Sequence, residues 1–420
     1  MNTLIRIFKD PDLRRKILAV MGFLFIFRIA AAIPIPGIDL NKLSDFFAGN
    51  QFFGLLNIFS GGSLDNLSIV MLGVAPYITA SIIMQLLTMI FPQLKTLYHE
   101  EGETGRKKFY QIARYLTVPL AILQGYALIT LLIKQGVVDP MPFFTLATNV
   151  LIVTAGSVFL MWIGELITEF GIGNGVSLLI FAGIVAGIPM ALRQTIFTID
   201  PSRIPIVVGF LFSAVVIIGA VVFITEGERP IPISYAKRVR GTRMYGGSST
   251  YLPLRVNQAG VIPIIFAISI LLFPQMIVSF IAGSQNLFLQ RFSEITMNLF
   301  NNTWFYGFLY FMLVFLFTYF YTSVTFDPDA ISTNLQKSGG FIPGMRPGAP
   351  TSAFLSYVIN RLTLVGGLFL GAVAVLPIVV QGFTGAAFLT IGGTALLIAV
   401  SVVLETIKQI KAQLTMRDYE

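Results

Sequence analysis

The sequence predicts an all-α polytopic membrane protein with ten transmembrane helices, arranged as two inverted halves of five. Three observations predict it. Of 420 residues, 55% are hydrophobic and only 11% are charged, with a mean hydropathy of +0.81; a soluble domain carries about 25% charged residues. The apolar residues come in long runs rather than periodic stripes, which suits a chain surrounded by lipid. A six-residue pattern also recurs at the same place in each half.

A bilayer core of about 30 Å needs about 20 apolar residues per helix. By that rule the spans are residues 17–35, 69–91, 115–133 and 146–164, with a shorter fifth at 176–192. The second group is 204–224, 261–281, 303–323, 358–379 and 383–407. The first run follows Arg14, Arg15 and Lys16 and approaches Ala30-Ala31-Ala32, the layout of a cleavable leader. Arg28 interrupts it just before the small residues, and many spans follow, so it is read as a retained first helix.

Basic residues set the orientation. Of the 28 Lys and Arg, only Lys42, Lys134, Arg193, Arg203 and Arg291 fall opposite the N-terminus, and Arg28 lies inside a span; the rest share the side of the N-terminus. Both termini are therefore expected in the cytoplasm. Three connections exceed what a bundle needs: 37–68 outside, and 225–260 and 325–357 inside. Loops of that length are usually functional.

Gly73-Val74-Ala75-Pro76-Tyr77-Ile78 opens the second span, and Gly260-Val261-Ile262-Pro263-Ile264-Ile265 opens the seventh. An odd number of spans per half gives the halves opposite topology, so residues 1–193 and 194–420 form an inverted repeat whose working site lies where they meet. Each hexamer puts Pro within the first turns of a membrane helix. The expectation is two helices that bend or part at one interface.

Some chemistry is missing. With no Cys, disulfides and thiolate metal sites are excluded, and the single His99 lies in a charged loop. Intramembrane charge usually marks an ion or proton path, yet Arg28 lies near one end of its span and Glu165 and Glu169 near the end of the fourth. Arg28 is read as snorkelling or helix-paired. A coupled transporter lacks a polar site at mid-depth, and a membrane hydrolase or transferase lacks a catalytic constellation. What is left is a pathway with apolar walls, able to dewet against ions and to close around varied substrates by dispersion. No cofactor is expected.

Five separated motifs then resemble one family. Phe59-Ser60-Gly61-Gly62-Ser63-Leu64 with Leu72-Gly73-Val74-Ala75-Pro76-Tyr77-Ile78-Thr79-Ala80-Ser81-Ile82-Ile83 looks like the plug and second helix of the bacterial SecY family. Pro34-Ile35-Pro36-Gly37, Gly171-Ile172-Gly173-Asn174-Gly175-Val176-Ser177 and Pro343-Gly344-Met345-Arg346-Pro347-Gly348 are similar to the family's patterns at their places. The resemblance covers essentially the whole chain.

The resemblance implies a clam-shell around a central, hourglass pore. It implies a protein-conducting channel that passes unfolded secretory polypeptides and releases transmembrane segments sideways into lipid. It implies an aliphatic constriction matching Val74, Ile78, Val176, Ile180, Ile265 and Ile398. It implies a plug at about 55–68, including Leu55, Asn57, Phe59, Gly61, Gly62, Leu64 and Leu67, and a lateral gate lined by Thr79, Ile82, Ser269 and Phe273. Lys237, Arg238, Arg240, Arg243 and Arg346 match the docking surface for the ribosome and the SecA ATPase, though Thr242-Arg243 stands where many bacterial relatives have two adjacent arginines. A basic tip of this kind could meet RNA phosphates electrostatically. The implied partners also include the small SecE and SecG membrane subunits, signal sequences, nascent chains and membrane lipid. The implied location is the bacterial inner membrane. The implied energy source is a motor ATPase or the ribosome, the chain itself being a passive pore and not an enzyme.

Overall fold

The structure, a computed structural model, describes residues 10–36, 60–64, 66–99, 101–134, 136–198, 204–235, 238–240, 243–245, 249–281, 286–384 and 388–417. Its helices are α1 Pro11–Ala32, α2 Ala75–Ile90, α3 Pro92–His99, α4 Gly102–Lys134, α5 Phe143–Glu169, α6 Gly175–Thr198 and α7 Ile204–Glu226. They continue with α8 Ile262–Ile281, α9 Leu287–Asn301, α10 Thr303–Thr325, α11 Pro328–Lys337, α12 Ala349–Thr384 and α13 Phe388–Arg417. Each apolar run read from the sequence falls on one of these helices, with boundary shifts. Residues 69–74 are turns rather than helix, and α12 continues to Thr384, past the expected start of the last span.

By length and apolarity alone, the stretches Gly102–Lys134, Phe143–Glu169, Thr303–Lys337 and Ala349–Leu376 suffice to cross a bilayer. Gly175–Pro189, Ala214–Glu226 and Ile262–Leu271 are shorter apolar helices, and Ala75–Ile90 continues into Pro92–Tyr98 through a 115° bend. The bend follows from Pro92. The residue before a proline is pushed out of the helical region, and Phe91 is extended at φ −107°, ψ 110°.

The two repeated hexamers correct an expectation. Gly73 and Gly260 take φ +57° and +62°, a conformation open to glycine, and α2 and α8 start within the next two residues. Pro76 and Pro263 are thus each the second residue of their helix. There a proline has no intrahelical hydrogen bond to lose. They start helices rather than bend them.

Lipid is as apolar as leucine, so close packing and small residues decide which helices associate. α10 packs on α12 in this way. A Cβ on Gly371 would lie 2.8 Å from the Phe311 ring, and one on Gly367 3.2 Å from Phe315, so glycines on one helix receive aromatic rings of the other. α5 receives backbone instead: a Cβ on Gly156 would sit 2.1 Å from the Ile69 carbonyl oxygen. Residues 33–35 and 67–69 pair through Ile35 N to Leu67 O (2.9 Å) and Ile69 N to Ile33 O (3.0 Å). The expected plug is thereby rooted at the end of α1.

Strands appear in the two loops expected on the cytoplasmic side. β1 Glu228–Tyr235 and β4 Ser249–Arg255 form an antiparallel ladder in register from Glu228↔Arg255 to Ser234↔Ser249, and β2 Arg238–Arg240 pairs with β3 Arg243–Tyr245. β5 Gly340–Phe341, from the second loop, pairs with β1 to give the order β4-β1-β5. Ile231, Leu254, Phe326, Ile342, Leu355 and Val358 form a small core beneath it. Also outside the predicted spans is α9, whose Phe288, Phe292, Ile295 and Leu299 share an exposed apolar face.

Candidate functional site

The helices that carry the expected constriction meet in two pairs. α2, with Ile78 in its first turn and Val74 just before it, touches α8, which has Ile265 in its first turn. α6, with Val176 and Ile180, touches α13, which carries Ile398. Val74, Ile78, Ile180, Ile265 and Ile398 are buried, Ile398 completely, and Val176 is half-buried. All six belong to, or pack against, one continuous apolar cluster. Among the described residues, the buried polar side chains are all Ser, Thr, Asn or Gln, and none carries a charge. An uncharged apolar surface of this kind offers an ion no compensation for its lost water.

Of the expected plug, Leu55, Asn57 and Phe59 lie outside the described residues. Gly61 and Gly62 take φ +67° and +76° and turn the chain sharply. Leu64 and Leu67, both 0% exposed, enter the same cluster as the six constriction residues. Hydroxyls close the turn: Ser63 Oγ donates to the Ser60 carbonyl and, at 2.9 Å, to that of Val70, while Ser60 Oγ accepts from Leu64 N at 3.1 Å.

Of the expected gate, Thr79, Ile82 and Ser269 are buried; the Phe273 side chain lies outside the described ones. Thr79 Oγ1 donates to the Ala75 carbonyl at 3.0 Å and Ser269 Oγ to that of Ile265 at 2.9 Å. These bonds back to the preceding turn satisfy a hydroxyl in apolar surroundings. α8 touches both α2 and α4.

Sequence reasoning missed one residue, Gln124, and the partner of another, Arg28. Gln124 on α4 is buried, and its Nε2 donates to Thr79 Oγ1 at 3.5 Å, a long bond; an amide among apolar residues was its only signal. Arg28, expected to snorkel or pair within its helix, instead donates through Nη1 to the Gly61 carbonyl at 3.0 Å. A charge in an otherwise uncharged span marks the residue, but nothing in the sequence marks its partner.

On the loops, Arg238, Arg240 and Arg243 lie on the β2–β3 ribbon, with Arg240 opposite Arg243; Lys237 lies outside the described residues. Arg346 is exposed in a turn between Gly344 (φ +83°) and Gly348 (φ +101°). Thr351 Oγ1 donates to its carbonyl at 2.9 Å, and Ser332 Oγ donates to that of Gly348 at 2.7 Å. The β1–β5 pairing joins the two loops.

A family model described as SecY matches residues 68–407. The chain is 45% identical over 434 residues to the protein translocase subunit SecY of Mycobacterium tuberculosis strain H37Rv, which covers 98% of this chain and 97% of that protein. It is 44% identical over 442 residues to the protein translocase subunit SecY of Corynebacterium glutamicum, covering 100% and 99%. The fold is similar to the solved structure described as "The structure of a protein conducting channel", with TM-score 0.65 at 17% identity, covering 94% of this chain and 91% of that one. It is likewise similar to "Sec61 in the Canine ribosome-channel complex from the endoplasmic reticulum", with TM-score 0.61 at 18% identity, covering 94% and 91%.

Proposed function

The chain belongs to the SecY family, and from that premise we propose that it is the pore-forming subunit of a bacterial Sec translocase. It conducts unfolded secretory polypeptides across the membrane and passes transmembrane segments sideways into lipid. It is a passive channel in the inner membrane, with both termini in the cytoplasm, and the work is supplied by a SecA-type ATPase or a ribosome docked on the basic ribbon and the Arg346 turn. SecE and SecG subunits complete the complex. It catalyses no reaction of its own.

The observation that carries this reading is the continuous apolar cluster that holds Ile78, Ile180, Ile265 and Ile398 together with Leu64 and Leu67. In the resting channel, six aliphatic side chains and a folded-in segment exclude water from the waist. During conduction the same side chains close around the moving chain, because dispersion contacts make no directional demand. The halves 1–193 and 194–420 move apart where α8 meets α2 and α4, the route of a signal sequence into lipid. The contact of α6 with α13 holds the opposite side.

Ile398→Asn tests the waist. An unpaired amide buried there costs roughly 1–3 kcal/mol, so the balance shifts about tenfold toward open states. Resting ion conductance of the reconstituted channel rises accordingly. An unchanged conductance in this variant and in Ile78→Asn and Ile265→Asn rejects the waist.

A further inference from the structure

We propose that Arg28 is the latch of the plug, a positioning residue whose guanidinium keeps the channel closed by holding the Gly61 carbonyl. The inference deepens the reading of residues 55–68 as a plug and rests on it. Three observations meet at Gly61. Arg28 Nη1 donates to its carbonyl at 3.0 Å across 33 residues of sequence. The buried ring of Phe27, the residue before Arg28, lies so close that a Cβ on Gly61 would sit 2.5 Å from Phe27 Cζ. On α6, a Cβ on Gly183 would sit 2.0 Å from Gly61 Cα, so two glycine backbones meet with no side chain between them. Gly61 is seated between α1 and α6 in a slot that admits no further carbon.

The two kinds of contact at this segment fail differently. Leu64 and Leu67 are held by dispersion, which weakens gradually as a packed segment slides. A hydrogen bond from a charged donor in weakly polar surroundings is stronger and directional, so it is lost within a small displacement. The bond therefore sets a threshold for the first movement of the plug. A guanidinium is costly to keep in a membrane span, and the segment's own carbonyl supplies its partner at this depth. Once the segment leaves, the side chain faces the opened aqueous path and is solvated there, which makes the latch reversible.

Resting conductance of the full reconstituted chain, without substrate, compares the parent with Arg28→Gln, Arg28→Lys, Gly183→Ala and a deletion of residues 55–66. Arg28→Gln is expected to raise the resting open fraction about tenfold, the scale of one lost charge-assisted hydrogen bond. Arg28→Lys, which keeps charge and donors, restores most of the seal. Gly183→Ala leaves the arginine intact but fills the slot, and it leaks like Arg28→Gln. A deletion that leaks while Arg28→Gln and Gly183→Ala stay tight overturns the latch and leaves the plug standing. A deletion that stays tight removes the plug reading and the latch with it. Equal leakage from Arg28→Lys and Arg28→Gln assigns the effect to helix packing and overturns the bond. If Arg28→Gln does not fold, Arg28→Lys decides: a retained seal supports the bond, and leakage equal to that of Gly183→Ala overturns it.

Discussion

The helices α2, α4 and α8 touch one another and carry buried hydroxyl and amide groups that bond within one helix or between α2 and α4: Thr79 to Ala75, Ser269 to Ile265, Gln124 to Thr79. Among the described residues none of these bonds crosses to α8, and the Gln85 side-chain oxygen on α2 is buried without a partner. Beside the contact of α6 with α13, side chains of α13 bond the backbone of the turn that leads into α6. Gly173 N donates to Gln409 Oε1 at 2.7 Å, and Gln413 Nε2 donates to the Gly171 carbonyl. Lys408 extends the tie to Glu226 on α7 at 3.1 Å. None of these three bonds has to break for the first seam to part. The second resists sliding. That contrast supports the proposed opening on one side with a hinge on the other.

The largest expected effect attacks not the fixed seam itself but the packing of α5 against the start of α6, the helix that forms one side of it. A Cβ on Gly175 would sit 1.8 Å from the Gly164 carbonyl oxygen, where backbone faces backbone and neither can give way easily. Gly175→Ala should cost about 3 kcal/mol, the upper end of overpacking penalties, read as a lower melting temperature of the detergent-solubilised chain. No shift would show that the close approach is not a constraint.

Next, the double variant Gln409→Ala, Gln413→Ala removes both backbone ties, at about 1 kcal/mol each. It should lower the melting temperature by a smaller amount and slow translocation of a secretory precursor into proteoliposomes. An equal effect from Ser269→Ala would erase the contrast between the seams.

The smallest change in stability is expected at the parting seam. Replacing both members of a buried pair with apolar groups of similar shape is nearly neutral, so Thr79→Val with Gln124→Leu should move the melting temperature little. The same pair should still hinder weakly apolar signal sequences, because the closed contact becomes more apolar. Transport of precursors with graded signals measures this, and uniform transport across the series would show that the seam does not select.

The membrane character and the runs that became helices were legible because they depend on composition over some 20 residues at a time. Contacts between distant segments were not. Val74, Ile78 and Ile265 could be paired through the hexamer, whereas Ile180 and Ile398 became candidates only through family resemblance; nothing in their local sequence separates them from neighbouring aliphatics. Pro76 and Pro263 were misread because the same residue bends a helix from within and starts one at its first turn, and only the backbone of Gly73 and Gly260 distinguishes the cases. The β1–β4 ladder hid behind prolines at 230, 232 and 253, which argue against a strand interior. Arg28 stood out, but Gly61 lies too far along the chain for any periodic pattern to pair them.

The small sheet ties the two long loops to the helices they connect. β1 follows α7 after one residue and residues 256–261 join β4 to α8, so the ladder links these two helices. Its root is wedged where a Cβ on Gly366 of α12 would sit 2.5 Å from the Val256 carbonyl oxygen, and β5 fastens the second loop to its side. If the proposed channel opens between α8 and α2, the ladder would act as a crank, passing a load at its outer end through its paired strands toward the near end of α8.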